Sequence, residues 1–329
     1  MASIKEVAKH ANVAISTVSK VLNDYPNISE ETKRKVKASI EELSYVPNSI
    51  ASALSSKKTG RVAILINVST QTRVLDEIGM QYLSGAIHQA KELGMDIITV
   101  FFSMLEGKSM EEIERYLLSK SINGILIFGI SKESKDLLAL IQKERFKIVV
   151  VDAPFVNKMT SSIWVNQKKA QYDVAKITCK GHTIKKILYI AGEKNGFVTD
   201  ERIEGILEFA KDYQYKLTIK NGDFSEKRAR DITFKYAKEN DIVICASDLM
   251  AIGAMNALTE MDIFRPVCGF DGITLMGYIG KQMHTVDQNF YYIAQEAIKE
   301  LKELLSGQEG KEIVLEYKLV RLEYKDIIR

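Results

Sequence analysis

The sequence predicts an α/β protein: a small all-α headpiece of helix-turn-helix form, followed by a two-lobe core with parallel sheets. Three observations carry this. The chain has 329 residues, enough for about two domains. Its first 58 residues are capped, basic and helix-periodic, and after Gly60 β-rich runs alternate with helical stretches through two successive sets.

Ser3-Ile4-Lys5-Glu6 is a capping-box sequence, so a helix starts there with Val7, Ala8 and Ala11 on one face. Asn12, which tolerates left-handed backbone, turns the chain. A second helix follows in which Val18, Val21 and Leu22 face the first, leaving Ile15, Ser16, Ser19 and Lys20 outside. Asn23 to Asn27 is a loop. Ser29 caps a third helix, whose Val36, Ile40 and Leu43 close the core and whose start is crowded by Lys33, Arg34, Lys35 and Lys37; it ends near Tyr45, before Val46-Pro47.

Beyond Gly60, Val62 to Ile66, Asp96 to Phe101, Ile122 to Phe128 and Phe146 to Val151 read as strands of a first lobe, with helices from near Val74, Met110 and Ser134. A second set begins at Ser162 to Val165 and continues through Ile187 to Ile190, Leu217 to Ile219, Ile242 to Cys245 and Val267 to Phe270. His284 to Val286, a helix from Tyr291 to Leu305 and a strand from Ile313 to Leu319 are left over and are expected to return to the first lobe. The expected boundaries are therefore 1–46 for the headpiece, 47–60 for a hinge and linker, and 61–329 for the core. Within the core, lobe one takes about 61–160 plus 288–329 and lobe two about 161–287.

Composition narrows the function. Mean hydropathy of -0.08 and 46% hydrophobic residues describe an ordinary globular chain. No apolar stretch approaches the roughly 20 residues that span a bilayer, so no membrane partner is expected. The N-terminus carries Lys5, Glu6 and Lys9 without an apolar core or cleavage site, which points to the cytoplasm. Cys179, Cys245 and Cys268 are odd in number and lie in apolar runs, and the four histidines are scattered, so neither a metal nor a cofactor is expected. Met1 to Lys58 holds nine basic and six acidic residues, and the rest of the chain 37 of each. The whole surplus of +3 sits in the first segment.

Two helices joined by a tight turn, the second with a basic face of small residues, suit a major groove; on spacing and charge alone, a plain three-helix structural domain fits as well. The residues S-I-K-E-V-A-K-H-A-N-V-A-I-S-T-V-S-K-V-L-N, I-S-E-E-T-K-R-K-V, E-E-L-S-Y-V-P-N and A-S-A-L resemble the headpiece of the LacI/GalR family of bacterial transcription regulators. The similarity continues collinearly to about Leu305 and implies a periplasmic-binding-protein-like core.

The resemblance implies that the second helix enters the major groove and that Ile15, Ser16 and Lys20 read bases. It places Ser3, Thr17, Ser19, Asn23, Ser29, Thr32, Tyr45 and Asn48 on phosphates, counts Ile4 and Ala51 among the DNA-binding positions, and makes Leu54 an apolar wedge in the minor groove. Asn48 to Ser55 is too short for an isolated helix and is expected to fold on DNA against its counterpart in a second subunit; a bland alternative makes Leu54 a core anchor. Two departures stand out. Ala14 replaces the Ser that usually caps the reading helix, and Lys20 replaces an Arg that would grip guanine with two bonds.

In the core, open α/β sheets bind ligands outside the carboxyl ends of their strands. Resemblance carries Arg202, Asp271, Phe224, Ser247 and Gln288 onto effector-binding positions, with Asp152 a weaker candidate. Bland roles compete: a surface helix residue for Arg202, a turn for Asp271, a core aromatic for Phe224 and a helix cap for Asp248. Asn67 to Arg73 lacks the Asn-Pro-Phe-Phe type of segment, and Asn166 replaces the usual Asp after the crossover valine. A sugar or sugar phosphate leads as effector, with a purine or other metabolite behind.

The expected function is a homodimeric repressor whose affinity for double-stranded operator DNA is set by a small molecule. A solute-binding protein without DNA function is the alternative. An enzyme is disfavoured, because no Gly-x-Gly-x-x-Gly, Walker loop or catalytic triad sits after any strand.

Overall fold

The structure, a computed structural model, describes residues 3–22, 25, 27–43, 45, 61–67, 77–278 and 282–321. The chain divides into two compact units, Met1–Gly60 and Arg61–Arg329.

In the first unit α1 (Ile4–His10), α2 (Ile15–Leu22) and α3 (Glu30–Glu42) surround a small core of Val7, Ala8, Ala11, Val18, Val21 and Val36. The expected capping box is formed. The Ser3 hydroxyl accepts from Glu6 N at 3.3 Å, while Ser3 N donates to the Glu6 carboxylate at 2.6 Å. Asn12 turns the chain with φ 51°. The third helix stops at Glu42 rather than near Tyr45, and Tyr45 N closes back on the Ile40 carbonyl at 2.9 Å.

The second unit holds two six-stranded sheets. The first, in order β11-β5-β4-β3-β1-β2, is parallel throughout and comprises β1 (Arg61–Ile66), β2 (Ile97–Phe101), β3 (Ile122–Phe128), β4 (Lys147–Val151), β5 (Thr160–Val165) and β11 (Glu312–Leu315). Burial on both faces explains the unbroken apolar runs. Val62, Ile64 and Ile66 pack with α4 (Glu77–Glu92) and α12 (Phe290–Leu305), whereas Ala63 and Leu65 face α5 (Met110–Ser119) and α6 (Lys135–Gln142). The second sheet, β12-β10-β9-β8-β6-β7, contains β6 (Lys186–Ala191), β7 (Lys216–Asn221), β8 (Ile242–Cys245), β9 (Val267–Cys268), β10 (His284–Asp287) and β12 (Lys318–Arg321), with β12 alone antiparallel. Helices α7 (Gln167–Cys179), α8 (Phe197–Asp212), α9 (Glu226–Tyr236) and α10 (Asp248–Glu260) cover it, and a short α11 (Leu275–Tyr278) follows β9.

Two expectations are corrected. The run Ser162 to Val165 belongs to β5 of the first sheet, between β4 and β11, because the short return through Asn157 and Thr160 leaves it beside β4. The terminal strand breaks at Glu316-Tyr317, and its second half, β12, pairs with β10 in the second sheet instead of returning to lobe one. The lobes are thus joined by three crossovers, after β5, β10 and β11.

Closely crossing helix pairs meet at glycines. A methyl added at Gly85 of α4 would sit on the Tyr291 carbonyl of α12, and one at Gly205 of α8 on the Lys168 carbonyl of α7. Among the described residues no helix is long and apolar enough to cross a membrane.

Candidate DNA-reading face and effector cleft

On α2 the buried side is Val18 and Val21, which leaves Ile15, Ser16 and Lys20 exposed and Thr17 and Ser19 half-buried. Ile15 is 44% exposed, a large apolar side chain held out at the start of a polar helix face. Ala14 supplies the carbonyl that receives the first helical bonds, from Thr17 N at 2.9 Å and Val18 N at 3.2 Å, but it has no oxygen to offer the free amides.

Several positions expected on phosphates have side chains already engaged within the headpiece, Ser3 with Glu6 among them. Ser29 caps α3, its hydroxyl accepting from Thr32 N at 3.3 Å and lying 2.8 Å from the Thr32 hydroxyl. Ile4 and Tyr45 are part of the packing around the headpiece core. Lys33 at the start of α3 is 2.6 Å from Glu30. Asn23, Asn48, Ala51 and Leu54 lie outside the described residues, as does most of Asn67 to Arg73.

In the core, the ends of both sheets converge on one buried polar network. Arg202, on the second turn of α8, is 4% exposed. Its Nε donates to Gln167 Oε1 at 2.9 Å, its Nη1 donates to the Ala246 carbonyl at 2.5 Å and lies 3.6 Å from Asp271, and its guanidinium stacks 3.8 Å over the Phe270 ring. Gln288, after β10, donates to Asp271 at 3.1 Å and accepts from Gln167 at 2.9 Å. Gln167 also donates to Asp152 at 3.0 Å, and Asp152 accepts from the Tyr82 hydroxyl at 3.3 Å. Tyr82 stacks on Phe128 with centroids 4.1 Å apart. The chain of contacts runs from α4 and β4 of the first lobe to α8, β9 and β10 of the second.

Three of the six expected cleft residues hold left-handed backbone: Asp152 with φ 56°, Phe224 with φ 54° and Asp271 with φ 132°. Non-glycine residues adopt such conformations at a cost, and they collect at functional sites. The Phe224 ring lies against Gly192, where any side chain would collide with it.

Burial dominates the electrostatics. It pushes the Asp152, Asp271 and Asp248 carboxyls above the ordinary carboxylate range, with Arg202 pulling each back; Glu201, beside Arg202 in sequence, is raised to about 7 by burial and by the Asp152 charge. Burial likewise raises the thiols of Cys179 and Cys268 to about 12, which leaves them inert. Among the described residues no group of three or more His, Cys, Asp or Glu is placed to hold a metal ion.

Ser247, expected in the cleft, and Asp248, expected as a helix cap, both have structural duties. The Ser247 hydroxyl caps α10, accepting from Met250 N at 3.2 Å. Asp248 is therefore not the cap but the first helical residue. Its carboxylate accepts from Gly272 N, Ile273 N and the Thr285 hydroxyl at 2.6 to 2.9 Å, tying the loop that carries Asp271 to β10. Sequence reasoning missed Tyr82 and Gln167. Tyr82 gave no local signal; Gln167 adjoins Asn166, the noted departure, which caps α7 through Lys169 N at 2.9 Å.

Residues 3–48 match the profile described as bacterial regulatory proteins, lacI family, and residues 74–309 that of the periplasmic binding protein domain. The HTH-type transcriptional regulator RegA of Clostridium saccharobutylicum is 28% identical over 98% of this chain and 98% of its own length. The lac repressor dimer bound to operator and the anti-inducer ONPF has a TM-score of 0.81 at 22% identity, covering 97% of this chain and 98% of that one. The cellobiose complex of the transcriptional regulator CelR gives 0.68 at 22% identity, covering 98% and 99%. Both structures share the fold.

Proposed function

We propose, because this chain belongs to the LacI family of bacterial regulatory proteins, DNA-binding transcription regulators rather than enzymes, that it is a cytoplasmic, homodimeric repressor released from or locked onto its operator by an uncharged, hydroxyl-rich effector. The headpiece, residues 1–46, reads a half-site through Ile15, Ser16 and Lys20, and 47–60 forms the hinge in contact with DNA. Two-fold symmetry of the protein calls for a near-palindromic operator. Dimerisation through the first lobe is supported by Met80 and Ile87, 54% and 53% exposed on α4 at a spacing of seven residues.

The observation that carries the effector assignment is Arg202, buried among Asp152, Gln167, Asp271 and Gln288 where both lobes meet. Planar amides, carboxylates and a guanidinium are the groups that exchange hydrogen bonds with vicinal hydroxyls, and Phe224 offers a ring face. Charge favours a sugar over a sugar phosphate. Arg202, the one buried cation among the described residues, is already engaged by Gln167, the Ala246 carbonyl and Asp271, which leaves no unpaired positive charge for a phosphate.

The test is a thermal-shift screen of the full chain against free sugars, their phosphates and purines, followed by competition between a selected duplex and random DNA at modest ionic strength. A free sugar that raises the melting temperature and changes duplex affinity supports the assignment. Stabilisation by phosphates or purines alone refutes the effector class, and failure to prefer any duplex refutes the operator role.

A further inference from the structure

The lobes of the core touch around the rim of the cleft through bonds that involve only this chain. Ser131, Lys132 and Glu133 follow β3 of the first lobe; Asn195 and Gly196, between β6 and α8, and Phe197 to Asp200, the first turn of α8, belong to the second. Ser131 and Gly196 form an isolated antiparallel bridge, Lys132 N donates to the Asn195 carbonyl at 2.9 Å, and Asn195 Nδ2 donates to Glu133 at 2.7 Å. The Lys132 ammonium pairs with the Asp200 carboxylate and lies 5.6 Å from the Phe197 ring centre, and Phe197 meets Phe155 of the first lobe edge to face at 5.3 Å. On another edge the Glu77 carboxylate at the start of α4 accepts from Thr274 N at 2.8 Å and from the Thr274 hydroxyl at 3.0 Å. In the interior, Gln167 at the start of α7 donates from Nε2 to Asp152 of the first lobe and to Gln288, while its Oε1 accepts from Arg202.

We infer that the chain latches its own lobes shut, with the Ser131–Glu133 and Asn195–Asp200 segments as the clasp and Gln167 as an internal bridge. The clasp contacts, the Glu77–Thr274 bonds and the Gln167–Asp152 bond join groups on different lobes, so none of these survives their separation. Backbone bonds and the aromatic edge give the clasp directionality, whereas the Lys132–Asp200 pair, about half exposed on both sides, is a weak and adjustable part of it. Gln167 is the stronger element, because its bond to Asp152 is buried and crosses between the lobes, and Asp152 would lose it in the open state without a like replacement from protein. Closure is then a property of the apoprotein. An effector in this cleft must displace Gln167 from Asp152 or Arg202, and it shifts a balance that already favours closure. This regulatory meaning rests on the effector site proposed above; the closure itself is tested without ligand or DNA.

The experiment is electron-spin distance measurement on the full chain carrying Lys135→Cys and Lys211→Cys, both exposed and on different lobes. The native cysteines are buried, so label goes to the introduced ones. Dilution with unlabelled chain restricts the signal to distances within one molecule. The expected result is a single narrow distance in the unliganded protein. A second, longer population is expected on Lys132→Asp, reversed by adding Asp200→Lys, and also on Gln167→Leu. A broad or long distribution in the unaltered protein overturns the inference, as does a distribution that neither variant moves.

Discussion

The Nε of Arg202 donates to the Oε1 of Gln167 across 2.9 Å, and solvent reaches neither side chain appreciably, with 4% and 1% exposed. The pair joins the α8 of one lobe to the crossover that enters it from the other. Asp152, Gln288, the Ala246 carbonyl and Asp271 all lie against one or other member of the pair.

Arg202→Ala strips Gln167, the Ala246 carbonyl and Asp271 of a partner inside the protein. Leaving a buried charge unpaired costs about 3 kcal/mol or more. We expect a lower urea midpoint with an unchanged slope, intact operator affinity in protein that remains folded, and no response to effector. A normal response would remove Arg202 from the site.

Glu201 is raised from its ordinary 4.5 to about 7. Between those values the folded chain holds more protons than the unfolded one, so the group's contribution to stability is complete below pH 4.5 and is lost as pH rises through about 7. The buried aspartates are shifted in the same direction. Melting temperature should be less sensitive to pH between 5 and 7 in Glu201→Gln than in the unaltered chain; identical slopes would contradict this.

Lys20→Ala should relax preference at one base pair in each half-site, because Lys20 is exposed on the face of α2 proposed to enter the major groove. Lys33→Ala, which frees Glu30, should weaken all duplexes alike and flatten the salt dependence by about 0.9 if the ammonium reaches a phosphate. Equal losses on every DNA for Lys20→Ala would refute its reading role.

Ala14→Ser returns a hydroxyl to the start of α2, where Thr17 N and Val18 N already bond the Ala14 carbonyl. A gain of about 1 kcal/mol is expected for the headpiece. Amide exchange of α2 in the full chain reports it, and faster exchange in the variant would contradict the capping role.

Gly85→Ala drives a methyl into the Tyr291 carbonyl, which is backbone and cannot rotate away. A loss of about 3 kcal/mol is expected from overpacking a helix crossing. Calorimetry on the purified variant measures it.

The headpiece was legible from the chain alone because its determinants are local. The Ser3–Glu6 capping box, the left-handed Asn12 and the i, i+3, i+4 spacing of Val18, Val21 and Leu22 act within a few residues of each other. The βα alternation was equally plain, since strands buried on both faces must be apolar throughout. Which sheet β5 and β12 join was not, because a strand's partner is set by where the chain returns, and both lobes offer an edge of the same chemistry. The cleft divides in the same way. Arg202, Asp271, Gln288 and Asp152 could be named from motif resemblance, but Gln167 and Tyr82 enter only when residues 70 and 121 positions apart come within hydrogen-bonding distance of Asp152 and Gln288. Packing and crossover geometry alone bring those side chains together, and burial of the assembled group, rather than any property of the individual residues, raises its carboxyls.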